Sequence, residues 1–390
     1  MSKIRVFHFL GNGGGGVLSV VSSLSKYSVN PAIENHVIYT VNKSVAPHFK
    51  PYQLIGAVTE QVFFYSANWN FYYTCKQLLK LLPDSDVVIV AHDWIELGMV
   101  SNLGLQNPVT QVLHGDFEYY YGLSLKHKDG IDAFLGISPT ISKNLKTIIP
   151  AYADKIYYLK FPVPAVSATT YNNKQLRLVY YVRDLSENRK QFKVVVEIAR
   201  LLSDGKDDFF FTIAGGGLTS DEFFKQWPAS MVDYVNFAGF KTNEEILTIL
   251  QEQDIFLLPS LAEGFPVSLV EAMKAGLVPL VTNWAGAVDE LVVPGVTGFY
   301  FSAGASKDYA DCIRMLNKER LLLQTLSGNS VERANRLFDP VKNTRRIEEL
   351  FVVIGSKNHK PKPKIKIYGS RLDRKWMPNM LTFIYRKLLK

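Results

Sequence analysis

Asp254-Ile-Phe-Leu-Leu-Pro-Ser260-Leu-Ala-Glu263-Gly-Phe-Pro-Val-Ser-Leu-Val-Glu271-Ala-Met-Lys-Ala-Gly276 is the stretch that decides the fold. An apolar strand ends at Pro259-Ser260, a carboxylate follows in the turn, Pro266 suits a first helical turn, and Glu271 falls on the helix beyond. A strand delivering its chain to a helix N-terminus is one half of a βαβ unit, and the unpaired amides of that terminus form an anion site. Val267, Ser268 and Leu269 are placed to cradle a phosphate, while Glu263 and Glu271 accept hydroxyl hydrogen bonds on either side. A phosphate between two polyhydroxylated groups describes a sugar nucleotide.

Outward from this block the same rhythm continues in both directions. Short apolar runs alternate with helical-period segments at Ile4–Leu10, His36–Thr40, Val62–Tyr65, Val87–His92, Thr110–His114 and Phe134–Ser138. The pattern breaks after Phe161-Pro-Val-Pro164 into a linker-like stretch through Lys174. It resumes at Leu176–Val182, Phe209–Ala214, Val235–Gly239, Asp254–Pro259, Val278–Thr282 and Gly298–Phe301. Strand–helix alternation in two runs predicts an α/β protein with two Rossmann-like, doubly wound domains facing a central cleft. The expected boundaries are 1–164, 165–356 and a basic amphipathic tail, 357–390.

In the first run, Gly11-x-Gly13-x-x-Gly16 follows a strand and formally satisfies the dinucleotide fingerprint. A nicotinamide enzyme would close its second strand with an acid. Here that strand ends Tyr39-Thr40-Val41-Asn42, with Glu34 before it, so an NAD(P)-dependent oxidoreductase stays the alternative. A non-catalytic nucleotide-sugar binder is a third possibility. The glycines let backbone approach a ligand closely.

The chain of 390 residues is 47 % hydrophobic and 21 % charged, a globular composition that sets disorder aside. No apolar run approaches the ~20 residues of a membrane-spanning helix. The start runs into an apolar strand without a cleavage site, so a cytoplasmic protein is expected. Cys75 and Cys312 give neither a disulfide framework nor a zinc pair. The formal charge of +8 is local, because residues 357–390 hold 11 Lys/Arg against the one acid Asp373. A nearly neutral body with a cationic tail does not predict nucleic-acid binding over its surface. Within the tail, Met377, Leu381, Ile384 and Leu388 recur at helical spacing, with Trp376, Met380 and Phe383 beside them. Two readings stay open: an interfacial helix on the anionic inner face of the plasma membrane, or a helix packed on the body.

The block with Glu263 and Glu271 resembles the donor-site signature of the family 4 glycosyltransferases, two-domain GT-B enzymes that use sugar nucleotides and retain anomeric configuration. Tyr180-Tyr-Val-Arg183 with Lys190 is similar to the family's basic pair on the donor diphosphate. Ile213-Ala-Gly-Gly-Gly217, with Gly215, is similar to its second glycine turn, and Val235 to Gly239-Phe240 to its base-pocket strand. Gly13, Gly14 and Gly15 resemble the glycine loop facing donor and acceptor, and Val112-Leu-His114-Gly-Asp116 the histidine loop beside the reacting sugar. Residue by residue, the resemblance implies Glu263 on sugar hydroxyls, Glu271 on the nucleotide ribose, Arg183 and Lys190 on the diphosphate, and His114 near the transferred sugar. Gly264 and Phe265 fall in the same donor block. The chain departs from the family at Val182 and Gln191, where glycine is usual, and Arg189 could share the role of Lys190. The resemblance further implies a UDP- or GDP-linked sugar as co-substrate without a cofactor, and a glycan or lipid-linked acceptor in cell-surface polysaccharide assembly.

The seven histidines form no short metal-ligand motif, and no metal is expected. Asp84-Ser-Asp86 precedes its strand and reads as a turn. His92-Asp93-Trp94 ends a strand and either lines the acceptor side or caps the next helix. His114 and Asp116 would suit a general base for inversion, whereas the family resemblance implies retention with the departing phosphate taking the proton.

Overall fold

The computed structural model describes residues 3–13, 15–167, 175–203, 209–284, 287–357, 359–365 and 371–388. Gly14, the stretch 168–174 of the expected linker, and the tail cations Lys366 and Lys390 lie outside them.

The chain divides into two compact units, Met1–Pro162 with Pro340–Lys390, and Val163–Asp339. In the first, β1 (Ile4–Leu10), β2 (Ile33–Asn42), β3 (Ala57–Tyr65), β4 (Val87–Ala91), β5 (Val109–Leu113), β6 (Ala133–Gly136) and β7 (Ile156–Tyr158) form a seven-stranded sheet in the order β3-β2-β1-β4-β5-β6-β7. In the second, β8 (Leu176–Asp184), β9 (Phe209–Gly216), β10 (Val235–Gly239), β11 (Ile255–Leu258), β12 (Val278–Thr282) and β13 (Phe299–Phe301) form the order β10-β9-β8-β11-β12-β13. Every registered pair is parallel. The central strands are buried along their length, as in Val87–Ala91 and Val278–Thr282, because helices cover both sheet faces. The doubly wound α/β expectation holds in each unit. The sequence did not single out β7, three residues at the sheet edge.

Strand order reverses between β1 and β4 in the first unit and between β8 and β11 in the second. Ligands in such sheets bind at the strand C-termini around this reversal. The residues to examine therefore follow β1, β4 and β5, and β8 and β11.

Two expected boundaries need correction. Residues 340–356 belong with the first unit, since the helix Pro340–Gly355 buries Ile347, Leu350, Phe351 and Ile354 over that sheet. A Cβ on Gly355 would sit 3.2 Å from Ile4 Cδ1 and Val88 Cγ2, so the helix lies directly on β1 and β4. Its Glu348 accepts from Ser28 Oγ and, at 3.2 Å, from the Asn30 amide. The tail is not a separate segment either. The Lys362 amide donates to Leu105 O (3.0 Å), the Ile365 amide to Ser101 O (2.9 Å), and Lys362 Nζ to Asp132 Oδ2 (2.5 Å).

The tail ends in the helix Asn379–Leu388, and polar groups dock it. Asn70 Nδ2 donates to Arg374 O (2.9 Å) and Met377 O (2.8 Å), the Phe71 amide to Asp373 Oδ1 (2.7 Å), and Arg386 Nη2 to Asp373 Oδ2 (2.6 Å). Thr382 is the side chain this helix buries. Met380 (71 % exposed), Leu388 (78 %) and Trp376 (67 %) stand outward together with Leu381, Ile384 and Tyr385. No helix among the described residues is long and apolar enough to cross a membrane.

Candidate functional site

In the second unit the site grows from the C-terminal end of β8. Side chains alternate along a strand, so Tyr180 and Tyr181 leave opposite faces of the sheet, and each holds a different site residue. Tyr180 OH donates to Lys190 O (2.8 Å). Tyr181 OH donates to Glu271 Oε2 (3.0 Å) and is also 3.1 Å from Ser268 O. Arg183, two residues on, is exposed.

Glu271 lies on the helix Val267–Lys274 and is buried. Burial outweighs the hydrogen bonds from Tyr181 and Asn243, the latter 3.5 Å away, and lifts its carboxyl to about 7. Lys274 ends the same helix with its ammonium buried, donating to Val163 O (2.7 Å) and Phe338 O (2.9 Å). It ties the two chain ends of this unit to the site helix.

Glu263 sits in the turn after β11. Lys190 Nζ lies 2.8 Å from Oε1 and 2.9 Å from Oε2, a two-oxygen ion pair with little solvent access. The two residues assigned to different parts of the donor thus hold one another. Arg189 is engaged beside them, with Nη1 on Ala262 O (3.2 Å) and its guanidinium on Glu187 (2.8 Å).

Of the three amides expected to cradle a phosphate, two are used locally. Val267 N–H donates to Phe265 O (2.9 Å) and Leu269 N–H to Pro266 O (3.0 Å). That corrects the three-amide cradle: Pro266 at the N-cap tightens the first turn. Among the described residues the Ser268 amide is the one of the three that makes no hydrogen bond. Gly264 follows Glu263 directly, and the Phe265 ring packs 5.2 Å from that of Phe338. Ser260 Oγ is buried without a hydrogen-bond partner among the described residues.

The second glycine turn abuts the end of β8. A Cβ on Gly215 would meet Val182 O at 2.7 Å and Leu185 Cγ at 2.9 Å; one on Gly216 would lie 3.9 Å from the Phe240 ring. The exposed Phe240 therefore stands over the turn, lifted by Gly239 at φ 65° where the β9–β10 register shifts. The structure brings Arg183, Lys190, Glu263, Glu271, Ser268, Gly215 and Phe240 around one strand end. Sequence reasoning missed Tyr181 and Asn243. Tyr181 stood inside the quoted motif, and its alternation with the core residue Tyr180 was the available signal.

In the first unit, Gly15 caps the helix Gly16–Lys26 at φ 110°, a conformation open to glycine. Gly13 precedes it in the same loop. His92, after β4, and His114, after β5, are in contact, Nδ1 to Nε2 at 2.7 Å. His8 of β1 completes the row, its Nδ1 3.3 Å from His92 Nε2. Burial draws His8 down to about 4 and His114 to about 3, and pushes His92 well below its ordinary range. Asp93 caps the helix Trp94–Leu103 in a capping box with Glu96, so the capping alternative holds for Asp93 while His92 joins the other histidines. Glu96 is buried, accepts the His92 (2.7 Å) and Asp93 (2.6 Å) amides, and is lifted to about 8 by burial. Asp116 is not brought to His114: its carboxylate accepts from Tyr121 OH and Asn144 Nδ2 (3.1 Å). Glu34 lies at the start of β2 bound to Lys3 (2.7 Å), and β2 ends without an acid. The oxidoreductase alternative lacks its ribose ligand.

Residues 167–334 match the model of a family described as glycosyl transferases group 1, a span that nearly coincides with the second unit. The second unit matches this glycosyl transferases group 1 family over nearly its whole length. Similar curated proteins include the amylovoran biosynthesis glycosyltransferase AmsK of Erwinia amylovora, 35 % identical over 37 % of this chain and 37 % of AmsK. Another is the putative colanic acid biosynthesis glycosyltransferase WcaL of Escherichia coli, 32 % identical over 42 % of this chain and 39 % of WcaL. The matched stretches span under half of either relative. Among solved structures, Anabaena HepE in complex with UDP and glucose aligns with a TM-score of 0.71 and 15 % identity over 90 % of this chain and 100 % of its own. At that identity the likeness shows a shared fold, the GT-B class of two Rossmann-like units, and the group 1 match falls on its second unit.

Proposed function

We propose that the protein is a glycosyltransferase that moves a hexosyl group from a nucleotide sugar, UDP-linked by preference, to a glycan or lipid-linked glycan acceptor in cell-surface polysaccharide assembly. The observation that carries this reading is the convergence of Tyr181–Glu271 and Lys190–Glu263 on the end of β8, within the group 1 match. Glu271 suits a ribose and Glu263 the sugar hydroxyls. Phe240 over the glycine turn offers a face for the base. AmsK is named for amylovoran biosynthesis and WcaL, as putative, for colanic acid biosynthesis. A Campylobacter jejuni relative, 33 % identical over 26 % of each chain, is named for transfer to a diphospho-undecaprenol carrier, which supports the lipid-linked class of acceptor. HepE's bound UDP and glucose support the donor class.

Breaking the glycosyl–phosphate bond leaves growing negative charge on the nucleoside diphosphate, and fixed positive groups must meet it. We assign this role to Arg183, the Ser268 amide and Lys190, and Lys190 serves doubly because it also orients Glu263. Retention is the stereochemical outcome we propose: His114, drawn to about 3, is a poor proton acceptor, so the departing phosphate oxygen takes the acceptor's proton. Metal independence belongs to the same proposal, as does peripheral attachment to the inner membrane face through the outward apolar side of the tail helix, bordered by Arg374, Lys375 and Lys387.

Thermal shift against UDP-, GDP-, ADP- and CMP-sugars and NAD, followed by turnover with the stabilising donor in EDTA, tests the proposal. A UDP-sugar shift and EDTA-resistant transfer with an unchanged anomeric signal are expected. Arg183→Ala should lose about a hundredfold in turnover, near 3 kcal/mol, with its melting unchanged. Stabilisation by NAD alone, or full turnover of that variant, refutes the assignment.

A further inference from the structure

His8 within β1, His92 just after β4 and His114 just after β5 sit on neighbouring strands, and a fourth polar residue, near the start of β2, completes the row. Asn35 of β2 places Oδ1 3.3 Å from His8 Nε2. The contacts cross the sheet as Asn35, His8, His92, His114, following the strand order β2-β1-β4-β5. The His8 ring is edged by Phe351 (6.2 Å) and the His114 ring is stacked on Phe161 (5.9 Å), so apolar groups close the row.

Three contacts joined in series constrain one another. A neutral imidazole has one N–H and one lone pair, and His8 and His92 each use both ring nitrogens within the row. Two arrangements satisfy every contact. In one, all three rings carry the proton on Nε2 and Asn35 Oδ1 accepts at the far end. In the other, all carry it on Nδ1 and the Asn35 amide donates. A mixed row sets two N–H groups or two lone pairs face to face in a buried site.

We propose that Asn35, His8 and His92 are positioning residues that lock His114 as the neutral Nε2–H tautomer, leaving its Nδ1 as an obligate hydrogen-bond acceptor for a sugar hydroxyl. Asn35 presents its oxygen to the row, and Nε2–H is also the form an isolated neutral imidazole prefers. Burial depresses the basicity of all three rings, which keeps an imidazolium out of the row. A His114 held this way accepts from a hydroxyl and cannot donate to one. The functional half of the proposal rests on the glycosyltransferase reading; the tautomer lock does not.

Long-range proton–nitrogen correlation spectra of the full-length protein with nitrogen-15 histidine, at neutral pH, read the lock directly. His8, His92 and His114 should each show one protonated Nε2 and one bare Nδ1. The Nε2–H tautomer should be the major one at all three rings, and mixed rows, which strand a buried contact, should not be detected. In His8→Phe, and in Asn35→Leu if the former does not fold, the His114 nitrogens should move toward averaged shifts, while those of His127, elsewhere in the fold, stay fixed. A proton on His114 Nδ1 in the unaltered protein, or His114 shifts unmoved in the variant that folds, overturns the lock. A lock that holds while no nucleotide sugar is turned over would instead count against the glycosyltransferase reading. In turnover, His8→Phe should lower kcat with little change in the donor KM. An unchanged kcat with moved His114 shifts overturns the functional half.

Discussion

Glu271→Gln should stabilise the protein above pH 7 while weakening its grip on a nucleotide. The carboxyl is 3 % exposed, takes hydrogen bonds from Tyr181 and Asn243, and is lifted from 4.5 to about 7 by burial. Between those values the unfolded chain has released the proton and the folded one retains it, so stability falls as pH rises through this window. At 1.36 kcal/mol per unit, the burial of the charge amounts to about 3 kcal/mol above pH 7 and nothing below about 4.5. Glutamine keeps the length and the acceptor for Tyr181 but carries no charge. Differential scanning calorimetry should place the variant's transition roughly 6–12 °C above the unaltered protein at pH 8, with the gap closing toward pH 4.5. In the same samples the variant should bind the stabilising nucleotide about ten- to a hundredfold more weakly, the worth of a hydrogen bond to a charged acceptor. No gap at pH 8, or one as large at pH 4.5, refutes the buried titrating carboxyl.

Other perturbations reach the rest of the site. Lys190→Ala should destabilise by about 2 kcal/mol, a value discounted for partial exposure, by stranding the Glu263 carboxylate; adding Glu263→Ala should restore most of it in a urea titration. Strictly additive losses would show the pair to be uncoupled. Gly215→Ala drives a Cβ into the Val182 carbonyl and should lower stability on the order of 2 kcal/mol; an unmoved urea midpoint contradicts the close approach. Replacing the outward Trp376, Met380 and Leu388 by serine should cut binding to vesicles of anionic phospholipid at least about tenfold. These residues are exposed, so melting should not change, and undiminished vesicle binding removes the tail helix as the attachment.

The strand–helix rhythm was legible because parallel strands buried on both faces are unbroken apolar runs, as at Val87–Ala91 and Val278–Thr282. The edge strand β7 has three residues, too few for a period. Within the site, motif residues could be named but not paired. The family resemblance puts Lys190 and Glu263 at separate places on a donor, whereas the fold sets their side chains 2.8 Å apart. The loss of two cradle amides follows from Pro266, whose carbonyl accepts from Leu269 in a tightened first turn, a detail of dihedral angle and not of composition. His8 gave no signal at all, since a lone histidine in an apolar strand reads as core until its neighbours across the sheet are known.

The tail shows most clearly what periodicity leaves undetermined. A helical stripe of Met377, Leu381, Ile384 and Leu388 says that one face differs from the other, and convention assigns the apolar face to the protein. Here the opposite face is docked. Thr382 is buried, Arg386 and Asp373 pair at 2.6 Å, and Asn70 and the Phe71 amide seize the turn before the helix. Hydrogen bonds and one largely buried ion pair hold a helix of ten residues, while its large apolar side chains stay in water. Leaving several such side chains exposed forgoes about 1.5–3 kcal/mol each, more than the docking hydrogen bonds return at about 1 kcal/mol apiece. An arrangement so unfavourable in water is one that a second apolar phase would improve, and together with the cations Arg374, Lys375 and Lys387 around the exposed side chains it supports the peripheral attachment proposed above.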